Sequence, residues 1–147
     1  MTLSLRADVV IHATPSQVFE LICEPERLPE WNVSVERARR AVPGEAISLG
    51  SRAIVGGRLL GQTLESETEV VQFEPPWLFT TRAVRGPRLT TRFELDAAGE
   101  GTRVFVDVSG EVPGGFLAER VATGLLRKEL RASLERLRAI GEATTSF

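Results

Sequence analysis

A strand pattern that runs straight into a capped helix constrains this chain more than any other feature. The segment Ile11-His12-Ala13-Thr14-Pro15-Ser16-Gln17-Val18-Phe19-Glu20-Leu21-Ile22 carries the transition. Before it, Leu5, Ala7, Val9 and Ile11 fall on one side of an alternating run from Leu3 to His12, which predicts a strand. Thr14 then stands as an N-cap, and Pro15 takes the first helical position, where its missing N–H is no loss. Gln17 sits where a capping box places its second member. The predicted helix continues through Cys23, Glu24-Pro25 breaks it, and a second short helix is expected from Glu26 to about Trp31.

From Val33 the apolar period becomes two. Strands are predicted near 33–42, 51–60, 62–74, 77–85, 88–97 and 102–112. Pro43-Gly44, Gly61, Pro75-Pro76, Gly86-Pro87 and Ala98-Gly99-Glu100-Gly101 make the turns. Leu64, Ser66, Thr68 and Val70 alternate with Glu65, Glu67 and Glu69, so the carboxylates share a face that must be wet, at a solvated edge. Short connections between successive strands imply an antiparallel meander.

After Pro113-Gly114-Gly115 the period turns helical again, to about Gly141. Leu126, Leu130, Leu134 and Leu137 form its stripe, flanked by Ala122, Ser133 and Ile140. Arg127, Lys128, Arg131, Glu135, Arg136 and Arg138 fill the other faces. This is the only long helix, so its partner must be the concave face of the sheet. The expected class is α+β: a curved antiparallel sheet of about seven strands wrapped around a long C-terminal helix, with two short helices after the first strand. One sheet closed around one late helix builds a deep pocket.

Composition narrows the possible functions. At 147 residues the chain is expected to be a single domain, 1–147, burying roughly 68–70% of its unfolded surface. A net charge of −2 lacks the basic excess of a general nucleic-acid binder. No apolar run reaches the ~18 residues that would cross a bilayer, and no secretory leader pattern opens the chain, so no membrane insertion is expected. Cys23 is the only cysteine, which makes a reducing, cytoplasmic compartment the simplest expectation. Of 18 basic residues only Lys128 is a lysine, a bias that reads as compositional drift.

Several local patterns together resemble one family. They are Ile11-x-Ala13-x-Pro15-x-x-Val18-Phe19, Pro25-x-x-Leu28-Pro29-Glu30-Trp31-Asn32, Leu49-Gly50-Ser51 and Val70-Val71-x-Phe73-Glu74-Pro75-Pro76. In this order they are similar to the START-related superfamily, also called SRPBCC, in its polyketide cyclase/dehydrase-like branch. The resemblance spans essentially the whole chain and implies a helix-grip fold. It implies a container that members fill differently, so fold alone does not supply the function.

Strand parity nominates the pocket. The inward set is Ala53, Val55, Gly57 and Leu59, then Leu64, Ser66, Thr68 and Val70, then Trp77, Phe79 and Thr81, then Leu89, Thr91, Phe93 and Leu95, with Val104, Val106 and Val108 completing the sheet. Small residues at Ala53, Gly57, Ser66 and Thr68, where a filled barrel would want bulk, favour a partly hollow interior over a packed core. The expected ligand-binding residues are Trp31, Val55, Leu59, Ser66, Thr68, Trp77, Phe79, Thr81, Thr91, Phe93, Phe116, Thr123 and Leu126, with Trp31 and Phe116 as lids.

Reactive groups are scarce. His12, the only histidine, ends the first strand with solvent-facing parity, and Cys23 reads as a small buried hydrophobe. One His and one Cys leave no protein-built zinc site, and no cofactor is expected. Neither a nucleophile elbow nor a phosphate loop occurs. Glu94, Asp107, Arg58, Arg82 and Arg92 fall on the outward set. Glu119, near the start of the long helix, is the one candidate acid, paired with an arginine at the pocket mouth. Arg37, Arg39 and Arg40 read as a solvated strand end.

Three functions follow. The first is binding of a small hydrophobic molecule (lipid, polyketide, isoprenoid or aromatic metabolite) by a monomer or homodimer. The second is a metal-free cyclase, aromatase or dehydratase, which needs an ionisable group in the pocket. The third, which the resemblance allows, is an interaction module of co-chaperone type with a filled interior. The lean is towards binding without catalysis.

Overall fold

The structure, a computed structural model, describes residues 2–111 and 119–145. Strand β1 (Thr2–Ile11) leads into helix α1 (Pro15–Cys23), a 3-10 turn (Pro25–Arg27) and helix α2 (Leu28–Trp31). Strands β2 (Val35–Arg40), β3 (Arg52–Leu59), β4 (Gln62–Glu74), β5 (Leu78–Arg85), β6 (Arg88–Ala98) and β7 (Gly101–Glu111) follow. Helix α3 (Glu119–Thr145) closes the fold. Thr14 caps α1 as expected: its hydroxyl accepts from the Gln17 N–H, and the Gln17 side chain accepts from the Thr14 N–H.

One antiparallel sheet of seven strands runs in the order β1-β7-β6-β5-β4-β3-β2. The first and second strands are therefore the two edges, and α1 and α2 carry the chain from one edge to the other. The expected class holds. Glu65, Glu67 and Glu69, however, lie on an interior strand and not at an edge. They occupy its outer face, where Arg52 pairs with Glu67 and Glu69, and Arg37 and Arg85 pair with Glu65. Half-exposed pairs of this kind stabilise by about 0–1 kcal/mol each.

Other differences have local causes. Pro25 ends α1 but starts the 3-10 turn that runs directly into α2, because proline fits a first helical position. Strand β2 ends at Arg40, and residues 41–51 form a connecting loop. Gly141 does not end α3. A Cβ there would stand 2.9 Å from Ile11 Cγ2, so this glycine lets the helix lie close on β1. Pro113-Gly114-Gly115, the expected entry to the long helix, lies outside the described residues.

Helix α3 seats on one side of the sheet. Leu134 and Leu137 join Val9, Ile11, Val104, Val106 and the buried face of α1 in the main core. Leu126 packs with Leu3 and Leu5 in a second cluster nearer the helix start. The helix thus covers β1 and touches α1 and α2, and it shares the two core clusters with Phe79, Phe93 and Leu95 on one hand and with Leu59 and Leu89 on the other.

Candidate functional site

Register places the inward side chains of neighbouring strands in rows. Ala53, Thr68 and Ala83 form one row, Val55 faces Ser66 in the next, and Val70, Thr81 and Thr91 form a third. Phe73, Phe79 and Phe93 make a fourth. Over these rows lies a half-open cavity of about 240 Å³. Ile22 and Cys23 of α1, Leu28 and Trp31 of α2, and Ile47 of the 41–51 loop wall its other side.

The aromatic wall is built from interlocking rings. The Trp31 indole N–H donates to the Leu21 carbonyl at 2.9 Å, and its ring meets Phe93 edge-on at 6.0 Å. Phe79 packs between Phe93 at 6.4 Å and Phe19 at 6.0 Å. Such pairs add about 0.5–1.5 kcal/mol beyond burial. Gly57 keeps the opposite wall low for a backbone reason. A Cβ there would come within 1.9 Å of the Ser34 carbonyl, which accepts from the Arg58 N–H at 2.9 Å and so ties the start of β2 onto β3.

The 41–51 loop is pinned by one arginine. The Arg40 guanidinium binds both Glu24 and Glu26, the latter at 2.8 Å, and donates to the Glu45 carbonyl at 2.5 Å. The Glu45 carboxylate accepts from the buried Ser51 hydroxyl at 2.7 Å. Hydrogen bonds from Arg40 hold the Glu26 carboxyl down to about 2, and the Arg40 guanidinium is held above its usual range by the same partners. Arg40 therefore leaves the solvated cluster in which the sequence places it. Its side chain is only 19% exposed, and it braces the cavity wall that Cys23, Pro25 and Ile47 supply.

Of the sequence-nominated residues, the structure gathers Trp31, Val55, Leu59, Ser66, Thr68, Phe79, Thr81, Thr91 and Phe93 at the cavity. Trp77 stands apart, 48% exposed, because it belongs to the turn before β5, where strand alternation does not reach. Leu126 is buried against β1, and neither it nor Thr123 touches the cavity, since α3 seats on that edge. Glu119 is exposed at the first turn of α3, away from the cavity lining. Phe116 lies outside the described residues. Asn32, Ser34, Ile47, Ala83 and Pro87 also line the cavity. Ala83 shares the parity of Thr81 and could have been found, whereas Ile47 arrives on a loop that no period announces.

The chemistry of the lining is sparse. Among the described residues its ionisable side chains are Cys23, Arg52 and Arg58. Burial, before the nearby Glu24 charge, pushes the Cys23 thiol up to about 12, so it stays protonated. Arg52 reaches to the outer face, and Arg58 pairs with Glu36 at 3.4 Å on the rim. No cluster of metal-ligating side chains occurs among the described residues, and none of their helices is long and apolar enough to cross a membrane.

The hydroxyls divide into two groups. Buried ones away from the cavity are all engaged: Thr80 donates to Gln72 at 2.7 Å, Thr102 donates to the Ala13 carbonyl at 2.8 Å, and Ser133 accepts from the Val33 N–H at 3.0 Å. Of the hydroxyls that line the cavity, Ser34 donates to Glu129 at 3.0 Å and Ser51 to Glu45 at 2.7 Å, while those of the half-buried Ser66, Thr68, Thr81 and Thr91 bond no group among the described residues.

The model of a family described as polyketide cyclase / dehydrase and lipid transport matches residues 2–142. No curated protein matches the chain. Among solved structures, a START superfamily protein from Mycobacterium smegmatis aligns with a TM-score of 0.79 at 19% identity, covering 97% of this chain and 99% of that one. A Thermus thermophilus protein aligns at 0.79 and 19%, covering 98% and 100%. A major latex-like protein from Panax ginseng aligns at 0.73 and 17%, covering 95% and 97%. At these identities the likeness establishes the helix-grip fold.

Proposed function

The chain belongs to the polyketide cyclase / dehydrase and lipid transport family, and on that footing we propose that its cavity binds a small, largely hydrophobic molecule without transforming it. The observation that carries this reading is the cavity itself, about 240 Å³ and walled by Trp31, Phe79, Phe93 and aliphatic side chains. Its size lies just under the ~300–1,000 Å³ of most small-molecule sites. Binding is favoured over catalysis because no lining group can move a proton near neutral pH. Cys23 stays a thiol, Arg52 and Arg58 are paired with glutamates, and residues 112–118 contain no ionisable side chain.

Titration with the fluorophore 1-aminoanthracene tests the reading. The protein should enhance and blue-shift its emission with saturable, micromolar affinity. Ala83→Phe, which fills the row between Thr68 and the rim, should weaken binding at least tenfold and leave the melting temperature within a few degrees. Equal affinity of this variant and the parent protein would place the dye elsewhere and remove the reading.

A further inference from the structure

An open sheet has two edges, and this one treats them differently. The β2 edge is defended. It is six residues long, a bulge breaks its register between Val35 and Arg37, and Glu36, Arg37, Arg39 and Arg40 charge it. The Glu26 carboxylate also takes the Arg40 N–H at 2.7 Å. Short length, a bulge and charge are the devices that stop a further strand from adding.

The β1 edge lacks them. It runs ten residues in unbroken register with β7 and contains neither proline nor lysine. Among the described residues, no backbone group from Thr2 to Val10 bonds outside the β1–β7 ladder. Helix α3 packs on the concave side, where Leu3, Leu5, Val9 and Ile11 point. It meets the backbone just past the strand, where Glu142 accepts from the His12 N–H at 3.1 Å. The strand carries one charge of each sign, Arg6 and Asp8, two residues apart on the outer face.

We propose that the β1 edge pairs with the β1 edge of a second copy of this chain, antiparallel about a two-fold axis at Ala7, joining the two sheets into one. The sequence of the strand selects that register. With Ala7 opposite itself, Arg6 faces Asp8 of the second copy and Asp8 faces Arg6 of the second copy. On the concave side Leu5 then faces Val9, and Leu3 faces Ile11. Sliding by two residues sets Arg6 against Arg6 or Asp8 against Asp8. Sliding by one sets outer residues against concave ones. A lone charge on an edge repels a second strand, whereas this pair accepts its own image and refuses the neighbouring registers.

The flanking strand extends the match. Arg6 holds Asp107 at 2.7 Å, and Asp8 is held by Arg103 at 2.9 Å. The joined sheet therefore carries the row Asp107, Arg6, Asp8, Arg103 across the axis, the last two from the second copy, with the sign alternating at each step. The Arg6 side chain is 86% exposed in the single chain, so its remaining donors are free to reach across.

Two single variants and their mixture test this. Sedimentation equilibrium of the parent protein should give twice the mass of one chain at micromolar concentration. Arg6→Asp sets carboxylates opposite each other on both sides of the axis, and Asp8→Arg does the same with guanidiniums. Each variant alone should dissociate on the order of tenfold more readily, with a melting temperature within a few degrees of the parent. An equimolar mixture of the two restores an opposite charge at every facing pair, and it should dimerise as the parent does. Amide hydrogen exchange on the parent protein gives a reading that does not depend on the variants. The β1 amides should exchange more slowly as protein concentration rises through the association range. A parent protein that stays a single chain at millimolar concentration overturns the proposal. So does a dimer that both variants leave unchanged, a mixture that fails to recover, or β1 exchange that ignores concentration, since each would place any association on another surface.

Discussion

The two halves of the concave face are built from one sheet and reach opposite ends. On the β1–β7 side, Val9, Ile11, Val104 and Val106 meet Leu134 and Leu137 of α3, and the interface is filled. On the β3–β6 side, Ala53, Gly57, Ser66, Thr68 and Ala83 hold the wall low, and the 41–51 loop and α2 bridge over open space. The difference lies in side-chain volume and in where one helix seats, not in the strands. The packed core is concentrated in the first half and the open space in the second.

Truncation on each side would sharpen that contrast. Leu137 is fully buried, and Leu137→Ala should cost about 2–5 kcal/mol through lost burial plus a new void. Leu64 lines the cavity and is only partly buried, so Leu64→Ala extends a space that already exists and should cost about 1 kcal/mol. Urea denaturation of both variants measures the pair. Equal losses would mean that the second half is packed like the first.

A smaller effect is expected at the Arg40 brace of the cavity wall. The Glu26 carboxyl is held at about 2, below its ordinary value of 4.5, chiefly by the Arg40 hydrogen bond. A depressed carboxyl stabilises the fold above its unfolded value, and that contribution fades as pH falls from about 4.5 towards 2. Arg40→Met should lower stability by about 1 kcal/mol at neutral pH, since the pair is partly exposed and water screens it. It should also flatten the acid limb of the melting curve across that window. An acid limb as steep as that of the parent protein would assign the sensitivity to other carboxylates.

Much of this arrangement is legible in the sequence, and the limits are physical. The alternation of Leu64, Ser66, Thr68 and Val70 shows which way β4 faces, because one face of a sheet strand must bury its side chains. The Thr14–Gln17 box marks the start of α1 because both halves of the cap are local. Trp77 escapes because parity is lost in a turn and restarts at Leu78. The leucine stripe of α3 says which face is buried, not which strands bury it, so Leu126 is placed by a contact with Leu3 and Leu5 more than a hundred residues earlier. Arg40 is engaged by residues on both sides of a turn, and charge patterning along one strand carries no trace of such partners.

Native mass spectrometry of the purified protein, repeated after organic extraction, tests most directly whether the β3–β6 half is a binding site. A discrete added mass that extraction removes, with a protein that afterwards takes up 1-aminoanthracene, is the predicted result. A bare chain of unchanged mass that also refuses the dye would contradict it and leave a protein whose interior is filled.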